Sequence, residues 1–330
     1  MQTESDEWLE WAAYNLALGL PEREIKAEMS ANGIAAEAIE GFISSLQARP
    51  EYRAARQISR KLKLTCDLNE ALLEMASQVF DFAQIGRVSG LSSQDFLERY
   101  YSANRPVIIE GVVSDWPAVA KWSLDFFRQN FGSEPVRFQY GRSASDHRDC
   151  FVDHTVEAPF KEFLDLIERP PRDSSPPYLI AHDRMLDKPG FKPLLDDVVF
   201  DQRYFDASDT HGRVFFWLGP ADSTTPMHRD LGNVYMAQVM GRKLIRMVPS
   251  TQLHLMYNEH GYHSEADFDR LSLDRFPLLK KASIMEFVLE PGDLLFIPVG
   301  WWHFVKSLET TVTVTGNNFR FSNQLRPIFD

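Results

Sequence analysis

This sequence predicts a mainly β chain closed into a jelly roll, the double-stranded β-helix, with flanking helices and a separate N-terminal helical module. Two observations carry that expectation. From about residue 177 onward, short apolar runs alternate with Gly, Pro and Asp punctuation at 177–182, 213–219, 233–240, 242–248, 283–290, 293–298, 301–307 and 309–316. Many short strands divided by tight turns suggest a double-sheet barrel such as the jelly roll. Before residue 50, by contrast, apolar residues recur at helical spacing.

Residues 1–48 read as three short helices. Trp8, Leu9, Ala12 and Leu16 mark the first, which Gly19-Leu20-Pro21 ends; the second runs from Pro21 through Met29 to a stop at Asn32-Gly33. The third, Ala35 to Leu46, carries Ile39, Phe42, Ile43 and Leu46 on one stripe. Residues 49–84 read as a helical linker whose first part is basic (Arg49, Arg53, Arg56, Arg60, Lys61, Lys63), a pattern typical of a solvated face. The β domain is expected over 85–330. In it, Leu91-Ser92-Ser93-Gln94-Asp95-Phe96 is a helix-capping signal and Arg105 to Glu110 a strand ended by Gly111. The polar stretch 250–282 is expected as a helix-like insertion between strands.

Composition narrows the class. With 44% hydrophobic and 25% charged residues the chain can bury a core without disulfide or metal staples. Cys66 and Cys150 stand far apart in no metal-ligating spacing and read as reduced thiols of a cytoplasmic protein. The acidic N-terminus lacks the basic and apolar regions of a signal peptide, and no apolar run approaches the roughly 20 residues of a membrane span, so no membrane role is expected. A net charge of −12 argues against sequence-independent binding to nucleic acid.

The chemistry concentrates in Thr225-Pro226-Met227-His228-Arg229-Asp230 and in Trp301-Trp302-His303. On a strand, residues two apart project from one face, so His228 and Asp230 can enter the same barrel interior while Arg229 points away. His303 follows Pro291-Gly292-Asp293, a turn, and Leu294 to Ile297, a buried strand; antiparallel pairing could return it to the barrel mouth opposite His228. Two imidazoles and one carboxylate on one face of an octahedron leave three positions open, the arrangement of non-haem Fe(II) oxygenases. His147-Arg148-Asp149 repeats the letters in a polar, loop-like context and is set aside. His228-Arg229-Asp230-Leu231 also copies the start of a protein-kinase catalytic loop, but Tyr235 stands where that loop needs Asn. His254, His260 and His263 fall in the polar insertion without acidic or cysteine partners and are expected to be solvent-exposed. Trp301 and Trp302 read as core and rim packing; Arg229 and Arg320 are candidates for the substrate cleft.

With these motifs in view, residues 85–330 resemble the JmjC, or cupin-like, branch of the Fe(II)/2-oxoglutarate-dependent oxygenases. Within it they look closest to the hydroxylase group containing the asparaginyl hydroxylase that inhibits hypoxia-inducible factor. The resemblance rests on Arg105-Pro106-Val107, Asp115-Trp116-Pro117 with Lys121-Trp122-Ser123, Tyr178-Leu179, the His228-x-Asp230 pair, Gly241-Arg242-Lys243, Pro291-Gly292-Asp293, Trp301-Trp302-His303 and Asn318-Phe319. It implies Fe(II) on His228, Asp230 and His303, 2-oxoglutarate as co-substrate and O2 as oxidant. Lys243 then matches the lysine for the distal co-substrate carboxylate, a group that needs a buried cation. Thr225 and Tyr178 match hydroxyl donors, and Asn318 an amide nearer the iron, with Asn317 a less favoured substitute. The family often has Asn at the position of Val234; Asn233 comes one residue early and reaches the co-substrate only through a local bulge.

The function so implied is hydroxylation of a peptide or protein side chain with release of succinate and CO2. Alternatives are an oxygenase of a small molecule or modified nucleoside, an N-methyl-lysine demethylase, and a non-enzymatic cupin scaffold. The chain ends soon after Asn318, so no C-terminal helical pair is expected, and a homodimer would use the N-terminal helices.

Overall fold

The computed structural model describes residues 2–141, 154–169, 176–258 and 261–323, with side chains from residue 7 onward. His147, Arg148, Asp149, Cys150 and His260 lie outside the described residues. The chain divides into two compact units, Met1–Ala76 and Ser77–Asp330.

In the first unit, α1 (Gln2–Leu18), α2 (Glu22–Ala31) and α3 (Ala36–Ala48) close a small core of Ala12, Leu16, Ile25, Met29, Ile39 and Ile43. Gly19 and Gly33 adopt positive φ at the two helix ends, where a left-handed residue satisfies the last carbonyls. A fourth helix, α4 (Pro50–Ser77), runs for 28 residues and buries none of them fully.

The second unit is a jelly roll. Its strands are β1 (Arg87–Ser89), β2 (Val107–Glu110), β3 (Pro135–Gln139), β4 (Thr155–Pro159), β5 (Val214–Gly219) and β6 (Thr224–Arg229), then β7 (Val234–Met240), β8 (Lys243–Val248), β9 (Met285–Leu289), β10 (Leu294–Ile297), β11 (Trp302–Ser307) and β12 (Thr311–Gly316). A six-stranded sheet, β1-β2-β10-β7-β12-β5, and a four-stranded sheet, β6-β11-β8-β9, form the barrel walls; β3 and β4 pair separately. The alternation along each strand assigns its faces. Ile108, Met236, Leu295 and Ile297 of the larger sheet meet Ile245, Met247, Met285, Leu289 and Val305 of the smaller one, a dry plug between the walls. The alternate residues Val107, Ile109, Leu294 and Phe296 point outward and pack under flanking helices through Phe96, Phe127 and Phe160. Those helices are α5 (Ser93–Phe96, continuing as a wider turn to Tyr101), α6 (Pro117–Lys121), α7 (Leu124–Phe131) and α8 (Phe160–Glu168). The Ser92 hydroxyl accepts from the Asp95 amide and starts α5, as the capping signal requires.

Two expectations need correction. Residues 177–182 form no continuous strand: Tyr178 and Leu179 make single bridges to Gln139 and Leu218, and the chain then turns through a short 3₁₀ segment at Ala181–Asp183. The insertion 250–282 is not an α-helix. It contains 3₁₀ turns at Ser250–Leu255 and Pro277–Lys281. Met256, Ala266, Phe268, Phe276 and Leu279 cover Trp302 and Phe304 on the outer face of the smaller sheet. Those apolar residues follow no 3.6-residue period; burial against a sheet face, not local propensity, fixes the segment.

Candidate metal centre

β6 and β11 pair antiparallel with Trp302 opposite Arg229 and His303 opposite His228. The pairing sets both imidazoles on the barrel-interior face, with ring centroids 4.1 Å apart. Asp230 stands one residue beyond the end of β6, and its Oδ2 lies 3.6 Å from His303 Nε2. The three ligand-bearing groups have donor atoms within 4.8 Å of one another and are the one such cluster among the described residues.

Local backbone contacts orient the rings. His228 Nδ1 lies 2.9 Å from the Pro226 carbonyl and His303 Nδ1 lies 3.1 Å from the Trp301 carbonyl. A carbonyl can only accept, so each ring carries its proton on Nδ1 and turns Nε2 into the site as a lone-pair donor. Burial, then the neighbouring His303, pushes the His228 imidazolium down to about 4, partly offset by Asp230. A neutral imidazole is the ligand a divalent cation needs. Two nitrogens and one carboxylate oxygen converging on a face suit Fe(II), so the residues fit the expected metal.

The triad opens into a cavity of about 470 Å³ whose wall includes Tyr178, Trp217, Thr225, Met236, Lys243 and Thr315. Lys243 begins β8 after the Gly241-Arg242 turn. Gly241 has φ +68°, and a Cβ there would run into the Thr310 carbonyl. The lysine is 1% exposed, with Nζ 3.3 Å from Tyr178 Oη. Burial pushes its ammonium down to about 7. No carboxylate pairs with it among the described residues, which leaves a buried cation suited to an anion arriving from the cavity. Thr225 is buried on the same cavity wall.

The two asparagines named for the co-substrate go elsewhere. Asn318 Oδ1 accepts from Tyr235 Oη at 3.0 Å, and its Nδ2 donates to the Asp206 carbonyl at 2.9 Å, so its amide is spent on packing away from the cavity wall. Asn317 takes the wall position, with a buried Oδ1 that has no hydrogen-bond partner among the described residues. Asn233 accepts from the Val299 amide at 2.8 Å. No bulge re-aims it: it pins the turn before β11, whose Gly300 amide also donates to the Asp230 carbonyl at 3.1 Å. Val234, not Asn233, faces the cavity.

Other expectations sort similarly. Trp301 and Trp302 are buried, as core packing requires; Trp301 Nε1 donates to the Asn104 carbonyl at 2.9 Å. The Arg229 guanidinium lies over the Tyr262 and Trp302 rings and lines the cavity, as a cleft residue would, whereas Arg320 is off the wall and donates to the Gln202 carbonyl. His263 corrects the reading of an exposed histidine. The insertion runs beside β6, with the Arg229 amide donating to the Tyr262 carbonyl and the Ser264 amide to the Met227 carbonyl. His263 is thereby half-buried on the cavity wall, stacked on His228 at 5.5 Å between centroids. Sequence reading also missed Trp217, whose Nε1 donates to Thr315 Oγ1 at 2.8 Å within the same wall. The alternation Thr311-Val312-Thr313-Val314-Thr315 held the signal: Val312 and Val314 pack outward under the helices, which turns the threonines inward.

Comparison with known proteins agrees with this architecture. The profile of a family described as "Cupin-like domain" matches residues 93–323, more than two thirds of the chain. The chain belongs to the cupin-like domain family. Among its relatives, the lysine-specific demethylase JMJ30 of Arabidopsis thaliana is 30% identical over 73% of this chain and 55% of its own length. Lysine-specific demethylase 8 of Xenopus tropicalis is 28% identical over 76% of this chain and 56% of its own length. The arginine-specific demethylase JMJ20 of Arabidopsis thaliana is 30% identical over 71% and 57%. This chain therefore spans little more than half the length of these relatives. Their names support the JmjC, 2-oxoglutarate oxygenase placement in general and not the asparaginyl hydroxylase subgroup in particular. The cofactors of this cupin-like JmjC class are Fe(II), 2-oxoglutarate and O2, as the sequence led us to expect.

Proposed function

We propose that this chain is an Fe(II)- and 2-oxoglutarate-dependent oxygenase that hydroxylates a peptide or protein side chain. The observation that carries the reading is one cavity holding both a two-histidine, one-carboxylate face and a buried lysine with no carboxylate partner among the described residues. In this reading His228, Asp230 and His303 hold the iron, and Lys243 with Tyr178 and Thr225 holds the distal carboxylate of 2-oxoglutarate. The bound pair of cofactors supplies O2 activation, coupled to oxidative decarboxylation of the co-substrate to succinate and CO2.

The protein's own residues position and exclude. Met236, Ile297 and Val305 line the cavity and keep water from the reacting centre. Asn317 replaces Asn318 as the amide available to a bound molecule. Tyr262, exposed, and His263, half-buried, form the rim over which a substrate side chain enters.

A second reading, N-methyl demethylation, is favoured by the printed names of the relatives, which include lysine- and arginine-specific demethylases. It uses the same site, because hydroxylation of an N-methyl carbon is followed by loss of formaldehyde. Incubation of the Fe(II)-loaded protein with 2-oxoglutarate and a peptide library carrying free and methylated side chains separates the two. A gain of one oxygen on an unmethylated peptide supports hydroxylation, and loss of a methyl group with formaldehyde supports demethylation. Succinate release that no peptide stimulates would turn the reading toward a small molecule or modified nucleoside. Absence of succinate under every condition would leave a scaffold.

A further inference from the structure

We propose that Arg229 selects the substrate: an anionic side chain of the peptide docks on its guanidinium at the cavity mouth, a role that rests on the oxygenase reading of the site. Alternation along β6 sends Arg229 to the face opposite His228, where the insertion covers the sheet. Its amide donates to the Tyr262 carbonyl at 3.0 Å, and Trp302 stands opposite it across the β6–β11 ladder. The guanidinium lies over both rings, 5.2 Å from the Tyr262 centroid and 5.8 Å from that of Trp302. Aromatic faces hold a planar cation in place and leave its edge free to donate.

No carboxylate meets that edge among the described residues. Arg246, two strands away on the same outer face, is neutralised by Glu286 at 2.6 Å. Arg229 has no such partner: its Nε is buried without a hydrogen bond, and the terminal nitrogens of this half-buried side chain stay open. Leu231 and Tyr262, 51% and 47% exposed, stand with it on the cavity wall. The open edge therefore lies where a peptide passes into the site.

Charge names the ligand. Besides histidines and tyrosines, the titratable side chains of the wall are Arg229, Asp230 and Lys243. Fe(II) and the Lys243 ammonium bring three positive charges, and Asp230 with the two carboxylates of 2-oxoglutarate brings three negative ones. The loaded site is neutral except for Arg229, whose guanidinium keeps its proton. An N-methylated lysine or arginine would set a second cation beside it. A carboxylate or a phosphate instead offers two oxygens in the geometry of its fork. Arg229 thus favours hydroxylation of an acidic peptide over demethylation of a cationic one.

The test reads binding, not turnover. The full-length chain is loaded with Co(II) in place of iron and saturated with 2-oxoglutarate, whose retention is measured first by calorimetry; Lys243 is then occupied. Labelled peptide pools of one apolar background, enriched in Asp and Glu, in phosphoserine, in Asn and Gln, or in Lys, methyl-lysine and Arg, are compared by fluorescence anisotropy. An anionic pool is expected to bind about tenfold or more tighter than the Asn and Gln pool, the scale of one charge-assisted hydrogen bond. It does so against a net chain charge of −12, which repels it. The carboxylate and phosphate pools show which oxyanion is read. Arg229→Gln is expected to bring the anionic pool down to the neutral pool's affinity, and Arg229→Lys to keep part of the preference. Arg320→Gln, off the cavity wall, is expected to keep all of it. A chain that retains 2-oxoglutarate yet binds the neutral or cationic pool as tightly overturns the proposal and leaves the oxygenase reading standing. A preference that survives Arg229→Gln does the same. A chain that retains no 2-oxoglutarate overturns that reading and the proposal with it.

Discussion

His303 faces His228 across the β6–β11 ladder, and each ring turns Nδ1 toward the carbonyl two residues before it on its own chain. The site is thus organised by backbone before any metal arrives. Asp230 completes it from the residue just past the strand, where the chain is released from the ladder but tied to the β11 entry turn through Gly300.

Removing a ligand should abolish metal retention. His303→Ala or Asp230→Ala is expected to weaken Fe(II) or Co(II) binding by more than the roughly 10–100-fold that supporting residues command. Isothermal titration with Co(II) reads this directly, and an unchanged affinity in either variant would remove that residue from the site.

Lys243 should control both co-substrate affinity and the stability of the free protein, in opposite directions. Lys243→Met is expected to weaken 2-oxoglutarate binding on the order of 100-fold, the scale of losing a buried charge partner at about 2–5 kcal/mol. The same variant should stabilise the cofactor-free protein by about 1–4 kcal/mol, because an apolar isostere replaces an unpaired buried ammonium. Chemical denaturation with and without 2-oxoglutarate measures both.

A pH dependence follows from the same residue. Lysine titrates at 10.5 in the unfolded chain and, through burial, at about 7 in the folded one. Between those values the unfolded state binds more protons, so stability of the free protein rises with pH from about 7 toward 10.5. Below about 7 the full cost of the buried ammonium is present. A bound carboxylate favours the charged form, so 2-oxoglutarate binding at pH 8 should take up close to one proton. Calorimetry in two buffers of different ionisation enthalpy counts it; Lys243→Met should take up none.

Asn233 and Asn317 should separate by phenotype. Asn233→Ala removes the acceptor for the Val299 amide and is expected to cost about 1–3 kcal/mol of stability, the price of an unpaired buried donor. Its effect on 2-oxoglutarate affinity should be no larger than its effect on metal affinity. Asn317→Ala should leave stability nearly unchanged and weaken binding in the cavity. Equal destabilisation by both would contradict the assignment.

The barrel and its triad were legible because they rest on strict local rules. A period of two points His228 and Asp230 to one side, although Asp230 stands just past the end of β6, and turn residues bracket each strand. Lys243 was legible only through the family resemblance, since a lysine after the Gly241-Arg242 turn reads by itself as a surface residue. What the sequence hid is tertiary. The difference between Asn317 and Asn318 is one residue at the end of β12, where alternation no longer binds, and Tyr235 and Asp206 decide which amide turns inward. His263 looked like a polar-loop histidine because nothing local announces that the insertion will run beside β6.

The most direct test of the oxygenase reading is an anaerobic titration of the Fe(II)-loaded protein with 2-oxoglutarate, followed by the visible charge-transfer absorption of a 2-oxo acid chelated to Fe(II). The expected result is a saturable band that is absent in His303→Ala and that requires far more 2-oxoglutarate in Lys243→Met. A protein that binds Fe(II) yet develops no band at any co-substrate concentration would contradict the account at its centre.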